Sequence, residues 1–422
     1  MNEKVLLVTT VYPYPKDNGK KIILSSILEY YNSIYSNKNV HIALIGNDEK
    51  IVNNSVEIFY IPKPNKFLQI FNVFKGIITK SKSIQEAVLY SKNIENELNT
   101  IIERENYDYI LFDTIRTAQY SLDRYPNNKK IVYMDDLFSI RYKKMLEVLS
   151  KYPNIDLNPL GNFKKFLPNS LVSLIKSKFI TKTLLKIEKS LVQKSELRVI
   201  DEYSNCLLIS EDEVQYIKLN FRRNNVEPIK PLLKRNSFKR NIDLDKREFI
   251  FLGNLSIAHN DVSITNFIEK NINKLVEHNM IIKVIGKKPS EKLTELAEKN
   301  ANNIKLIGFV ENLEDEFTSS VGMIVPLIFG TGVKIKTLEA FSYGLPVIST
   351  SYGIEGINTN VNNNTACYIH ENSIELYWKS MLKLCDIDYN NRISRNSYNF
   401  FEKNYTKNAI YKEYGNLLLK RK

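Results

Sequence analysis

Short apolar runs rich in β-branched residues recur along the chain. Between them lie longer stretches in which apolar positions return every three or four residues. KVLLVTT (4–10), VHIALIG (40–46), VEIFYIP (56–62), YILFD (109–113), KKIVYMDD (129–136) and CLLIS (206–210) read as buried strands. Helices are expected over 22–35, 66–82 and 84–105, after Asp136, and over 169–195. A Lys/Arg/Asn-rich stretch at 230–247 has little apolar pattern and reads as a linker between domains. A second series then begins with EFIFLG (248–253), MIIKVIG (280–286), NIKLIGFV (303–310), VGMIVPL (321–327), LPVIST (345–350) and ACYIHE (366–371). Helical patterns fall at 262–277, 290–299 and 313–319, and a helical tail from Ser373 is split near Asp386. Strands alternating with helices predict an α/β protein with two parallel sheets, one per half.

The segment FGTGVKIKTLEAFSYGLPVIST, running from Phe329 to Thr350, concentrates the candidate chemistry. Gly330 and Gly332 bracket Thr331, so the backbone there can take positive φ and approach a ligand. VKIKTLEAF follows as a helix, with Leu338 and Phe341 facing a core and Tyr343-Gly344 as its stop. Lys334 and Lys336 put positive charge where the helix dipole already favours anions. That placement makes sense with an anion bound, and equally as a glycine-rich surface loop with solvated lysines.

With 422 residues, the chain is long enough for two domains with full cores. Its 43% hydrophobic and 25% charged residues are ordinary for a globular protein. A net charge of +13 points to phosphates, nucleic acid or an anionic membrane as partner. The start MNEKVLLVTT reads as a strand rather than a signal peptide, and no apolar run reaches membrane-spanning length. Three scattered cysteines, Cys206, Cys367 and Cys385, predict a reducing, cytoplasmic setting without disulfides. The loop after the first strand contains Gly19 but no GxGxxG fingerprint, so a dinucleotide site of that type is not indicated. Neither a Ser-His-Asp or Cys-His set nor a metal-ligand spacing is seen, and His259 stands alone in its loop as an incidental histidine. Two stretches combine helical apolar rows with lysines. One, from Lys66 to Lys82, carries Phe67, Ile70, Phe71, Phe74 and Ile78; the other runs from Asn169 to Ser195. Both are candidates for an anionic membrane surface, or else ordinary domain helices with solvated lysines.

The 329–350 segment resembles the C-terminal signature of the group 1 (family 4) retaining glycosyltransferases. These are GT-B enzymes, with two Rossmann-like domains facing across a cleft and a final helix crossing back to the first. Glu339 stands at the family's second glutamate, and Ala340, Gly344, Pro346 and Val347 match its tail, while Thr331 replaces the first glutamate. Gly330, Gly332, Lys334 and Lys336 match a branch with G-x-G-x-K-x-K instead. The resemblance implies a first domain at 1–235, with 405–422 packing on it, and a nucleotide-binding domain at 236–404. It implies donor contacts from Gly253, Asn254, Gly308, Val310, Gly330, Thr331, Gly332 and Val333, and from Glu339 to the ribose. Lys334 and Lys336 would carry the leaving diphosphate, because no Arg or Lys follows Gly253 before Lys270. In the first domain, Asn18, Gly19, Lys20 and Asp136 would face the substrates, with Ser139, Tyr142 and Lys143 fitting the same pattern. The implied activity is transfer of a sugar from a nucleoside-diphosphate sugar, with no metal or other cofactor, to a saccharide or lipid-linked acceptor. Its expected place is bacterial surface polysaccharide or glycolipid assembly, in the cytoplasm and peripheral on the inner face of the membrane. A sugar-nucleotide epimerase on the same fold and a non-catalytic basic membrane- or nucleic-acid-binding protein are the alternatives. No aromatic-basic RNA motif favours nucleic acid.

Overall fold

The computed structural model describes residues 3–46, 56–120, 125–126, 129–151, 178–330, 332–357 and 367–419. It divides into one unit of Met1–Pro231 with Tyr411–Lys422, and another of Leu232–Ile410. Thr331 and the segment 152–177, which includes the irregular stretch and the start of the basic helix expected from the sequence, lie outside the described residues.

In the first unit, strands β1 (Val5–Thr9), β2 (Val40–Ile45), β3 (Glu57–Ile61), β4 (Tyr109–Asp113), β5 (Lys130–Asp135), β6 (Cys206–Leu208) and β7 (Val226–Pro228) form a sheet ordered β3-β2-β1-β4-β5-β6-β7. Every pairing is parallel. β1 and β2 are buried along their whole length, which is why their sequences are mostly apolar, His41 in β2 apart, rather than alternating. The short β7 had no sequence signal of its own. Helix Gly19–Ile34 follows β1 and begins three residues before the expected start. The single helix expected over 84–105 is two, Ile84–Ala87 and Lys92–Glu105. Ser83 and Glu86 cap the first reciprocally, and Ser91 caps the second. The last helix, Lys407–Leu418, returns to this unit. Tyr414 Oη donates to Lys230 O at 2.7 Å, Asn205 Nδ2 donates to Leu417 O at 2.6 Å, and Tyr30 packs edge-on against Tyr411 and Tyr414.

The second unit carries β8 (Glu248–Leu252), β9 (Ile281–Ile285), β10 (Ile304–Gly308), β11 (Gly322–Val325), β12 (Val347–Ser349) and β13 (Tyr368–His370), ordered β10-β9-β8-β11-β12-β13 and all parallel. Successive residues feed two cores. Phe249 and Phe251 join one with Val284, Ile324 and Ile348; Ile250 joins the other with Ile285, Met323, Val325 and Val347. Each such side chain, fully buried, contributes roughly 1.5–3 kcal/mol.

The stretch read as a linker is mostly a strap on the second unit. Asn236 Nδ2 donates to Ser342 Oγ at 2.8 Å, the Phe238 ring lies 5.1 Å from that of Tyr398, and Asn241 N donates to Thr318 O at 2.9 Å. Arg240 donates to Phe317 O and, at 2.6 Å, to Ser320 O. Its burial pulls the guanidinium pKa down to about 9. The lysines around it suggested solvent; these anchors were hidden among them.

Candidate functional site

In each sheet one strand pairs with a sequence-distant neighbour: β1 with β4 in the first unit, β8 with β11 in the second. These are topological switch points, where the loops at the carboxyl ends of the two strands diverge and leave room for a ligand. In the second unit the two loops are the one after Leu252, with Gly253 and Asn254, and the one after Val325, with Gly330, Gly332, Val333 and Lys334.

Glycines let the strand ends crowd there. A Cβ on Gly286 would stand 1.9 Å from Gly253 O, so the loops after β8 and β9 touch backbone to backbone. Gly253 N donates to Ile285 O at 3.0 Å, and Gly286 N to Gly308 O at 2.7 Å. Gly308 has φ +77°, and a Cβ there would meet nothing within 4 Å. Its neighbour Phe309 is 65% exposed, with Lys287 Nζ 3.9 Å from the ring centroid. Val310 packs partly buried against the core of this unit. Gly286 and Lys287 were not among the residues expected from sequence. The signal available was a glycine followed by two lysines at the end of MIIKVIG.

The loop after β8 is held by its own polar groups. Asn254 Oδ1 accepts from Ser256 N at 3.1 Å and Ser256 Oγ at 2.8 Å, while Asn260 Nδ2 donates to Asn254 O at 2.9 Å. Helix Ala258–Glu277 starts four residues earlier than its apolar pattern suggested, which draws His259 into its first turn. His259 lies edge-on to Phe329, with ring centroids 6.4 Å apart. Burial, and then the charge of Lys334, push its pKa down to about 4, so the ring is neutral near pH 7. The histidine that looked incidental in sequence is therefore part of this cluster.

Gly330 has φ +146° and Gly332 φ +77°, both disfavoured for residues with a side chain. A Cβ on Gly330 would lie 3.7 Å from Lys334 Nζ and 3.8 Å from His259 Cγ, which puts these three residues together. Lys334 Nζ donates to Gly332 O at 2.6 Å. Helix Ile335–Ser342 begins immediately afterwards, with Lys334 at its N-cap position and no side-chain cap. The two lysines then diverge: Lys336, 51% exposed, pairs with Glu339 at 2.7 Å.

In the first unit Asn18, Lys20, Asp136, Ser139 and Tyr142 have partners within the unit. Asn18 caps helix Gly19–Ile34 by accepting from Lys21 N at 3.1 Å, and Gly19 is the first helical residue. Lys20 Nζ meets the buried Asp113 at 2.8 Å across the β1/β4 switch point, and Thr9 Oγ1 donates to the same carboxylate at 2.8 Å. Asp136 pairs with Arg141 at 2.5 Å rather than capping the following helix, Phe138–Lys151. That helix start is served instead by distant acids: Glu213 accepts from Leu137 N at 2.9 Å and Glu196 from Ser139 N at 3.2 Å. Tyr142 accepts from Gln85 Nε2 at 2.7 Å. Burial raises the Glu196 pKa to about 8 and that of Asp136 above its ordinary range, the latter against the pull of Arg141. Thr114, at the end of β4 beside the switch point, and Asp135, at the end of the neighbouring β5, have φ of 68° and 69°, strained values for side-chain-bearing residues.

Residues 246–386 match the family model described as Glycosyl transferases group 1. The match lies within the second unit and spans Gly253, His259, Gly286, Gly308, Lys334 and Glu339. Over its length the chain is 22% identical to an uncharacterized 44.6 kDa protein in the cps region of Klebsiella pneumoniae, covering 97% of this chain and 98% of that one. Solved structures share the whole architecture. Sucrose-phosphate synthase from Thermosynechococcus elongatus superposes with a TM-score of 0.64 at 11% identity, over 99% of this chain and 98% of that one. Anabaena HepE, in complex with UDP and glucose, gives 0.58 at 11% identity over 100% of both chains. WaaG, a glycosyltransferase involved in lipopolysaccharide biosynthesis, gives 0.58 at 10% identity over 98% of this chain and 99% of that one. These likenesses identify the fold as GT-B.

Proposed function

We propose that the protein is a glycosyltransferase that moves a sugar from a nucleoside-diphosphate sugar to a saccharide or lipid-linked acceptor, with retention, in assembly of a bacterial surface polysaccharide or glycolipid. The observation that carries this reading is the convergence of Gly253, His259, Gly330 and Lys334 at the switch point of a group 1 glycosyltransferase domain. The cps-region relative and the lipopolysaccharide-pathway structure support the pathway; the neighbour with bound UDP and glucose supports the donor class.

In the proposed mechanism the sugar C1–O bond to the diphosphate breaks as a bond from the acceptor hydroxyl forms on the same face. The acceptor proton passes to the departing phosphate oxygen, so no protein nucleophile is required. The second unit stabilises the charge that develops on the diphosphate. Lys334 supplies an ammonium, and the loop of Gly330, Thr331, Gly332 and Val333 brings backbone close. His259, neutral, offers a hydrogen bond without adding charge. Glu339 accepts the ribose hydroxyls through the oxygen not engaged by Lys336. The strand-end surface around Gly308 and Val310 receives the base, beside Gly253 and Asn254. On this reading the acceptor belongs to the first unit, near Asn18, Gly19, Lys20 and Asp136, and the ion pairs there hold the strand ends in place.

The test is a thermal-shift screen against UDP-, GDP-, CDP- and ADP-sugars, UDP-glucose first, followed by transfer of radiolabelled sugar to saccharide and lipid-linked acceptors. One donor class should raise Tm and label an acceptor with retention. No shift with any donor and no transfer would overturn the reading, and so would interconversion of the free donor sugar.

A further inference from the structure

Helix Lys66–Thr79 presents an apolar face that the rest of the described chain leaves uncovered. Phe67, Phe71, Phe74 and Ile78 are 87%, 62%, 54% and 77% exposed. At 100° per residue the four fall within an arc of roughly 60°, a single stripe along the helix. The opposite side is the anchored one. Gln69, Val73 and Gly76 are buried, and a Cβ on Gly76 would come within 3.1 Å of Lys82 O, so glycine lets the helix lie against the following turn. Asn72 Nδ2 donates to Tyr90 O at 2.9 Å. Both ends are finished: Asn65 accepts from Leu68 N, and Lys80 closes the helix in the left-handed conformation. The helix is thus rigidly mounted with its large apolar side chains outward.

The charge around the stripe identifies its occupant. No Asp or Glu occurs between Glu57 and Glu86, and that interval holds five lysines. Lys66, Lys75 and Lys80 are exposed beside or at the end of the stripe, while Lys82 turns inward over the Tyr90 ring at 4.2 Å. A second copy of the chain, meeting this face by two-fold symmetry, would set the same lysines against one another. A surface of anionic lipid headgroups over acyl chains accepts both the aromatic row and the cations. Among the described residues no helix is long and apolar enough to cross a membrane, so contact would be made in the interface plane. The other basic helix, Lys178–Glu202, is built differently. Its Leu185, Leu191, Val192, Val199 and Ile200 are buried and Lys182 and Lys186 point to solvent; among its described side chains Ile187, 37% exposed, is the large apolar one at the surface, and no exposed apolar row forms.

We propose that the Phe67–Phe71–Phe74–Ile78 face of helix Lys66–Thr79 docks on an anionic membrane surface, with Lys66, Lys75 and Lys80 meeting the lipid phosphates. The proposal stands apart from the glycosyl-transfer reading and can fail without it.

The experiment is co-sedimentation of the full chain with phosphatidylglycerol-containing and pure phosphatidylcholine vesicles, at low and high salt. Wild-type protein should pellet with the anionic vesicles and stay soluble with neutral lipid or high salt. The triple variant Phe67→Ser/Phe71→Ser/Phe74→Ser should lose binding while keeping its far-UV spectrum and Tm, since the replaced side chains are exposed. Neutralising Lys66, Lys75 and Lys80 to Gln should weaken partitioning roughly 100-fold, at about fivefold per lysine. Lys182→Gln/Lys186→Gln should bind as wild type. Three results would overturn the proposal: no binding under any condition, undiminished binding by the folded Phe variant, or a lipid-independent dimer that the Phe substitutions dissociate.

Discussion

Replacing Lys334 with Ala tests the proposed donor site at its centre. The ammonium sits half-buried beside Gly330 and His259, and its hydrogen bond to Gly332 O at 2.6 Å holds it over the loop. A pre-positioned cation of this kind facing a leaving diphosphate supplies roughly 2–4 kcal/mol of transition-state stabilisation. Turnover should therefore fall about 30- to 1000-fold in Lys334→Ala. Lys336 provides the internal comparison, because it lies on the exposed side of the same helix, paired with Glu339. An exposed pair contributes about 0–1 kcal/mol, so Lys336→Ala should cost less than about fivefold. The structure adds a second readout. The Lys334 charge is one cause of the low His259 pKa, after burial, so its removal should raise that pKa from about 4. The chain has four histidines, and a His259→Asn spectrum assigns the relevant imidazole resonance for NMR titration. Steady-state transfer with the donor selected by thermal shift gives the rates. Turnover within threefold of wild type in a folded Lys334→Ala protein, or a larger loss in Lys336→Ala, would refute the assignment.

Three further outcomes follow from the same geometry. The His259 pKa is depressed on folding, from 6.5 to about 4, so its contribution to stability is complete above pH 6.5 and is lost as pH falls toward 4; urea midpoints across that window should show His259→Asn relieved of about 3 kcal/mol of acid sensitivity. Gly286→Ala places a methyl 1.9 Å from Gly253 O and should destabilise by roughly 2–3 kcal/mol or more, whereas Gly308→Ala meets open space and costs about 1–2 kcal/mol through its φ alone; thermal melts that rank them the other way would contradict the packing at the strand ends. Glu339→Gln should weaken nucleotide binding by about 1–3 kcal/mol in calorimetry, with Lys336→Met shifting it the same way but less, and unchanged affinity in Glu339→Gln would remove that carboxylate from the site.

Strand positions were readable because these sheets are covered on both faces, so β1, β2 and β8 appear as mostly apolar runs bounded by polar loops. The glycine–lysine loop and the stop at Gly344, whose φ is +68°, were readable for a local reason: only glycine takes such angles cheaply. What escaped was long-range or side-chain-specific. Gly286 matters because Gly253 approaches it, 33 positions earlier in a chain where each is an ordinary loop glycine. Glu196 and Glu213 cap a helix start at Leu137 and Ser139 from elements 57 and 76 residues away. Nothing in the local sequence of 230–247 marks Phe238 and Arg240 as anchors, since their partners Tyr398 and Phe317 belong to other elements. The break between the helices at 84–87 and 92–105 did have a local sign, the Ser83–Glu86 capping box, which the long polar-apolar rhythm around it obscured.

The topology also accounts for how this chain could keep phosphate chemistry while lacking a basic residue after Gly253. Strands β8 and β11 are neighbours, with Gly322 opposite Phe249 and Met323 opposite Ile250, so the loops leaving their carboxyl ends rise side by side. A cation delivered from either loop reaches the same ground above the switch point. Here the first loop contributes Asn254, Asn260 and a neutral His259, and the second contributes Lys334, with the wide φ of Gly330 letting the ammonium and the imidazole come together. A second cation in the first loop would have to share that space with Lys334, and the low pKa of His259, set first by burial and then by the Lys334 charge, registers that repulsion in part. The uncharged first loop and the lysine-bearing second loop are then two parts of one arrangement, in which a single cation faces the proposed diphosphate and its neighbour stays neutral so as not to oppose it.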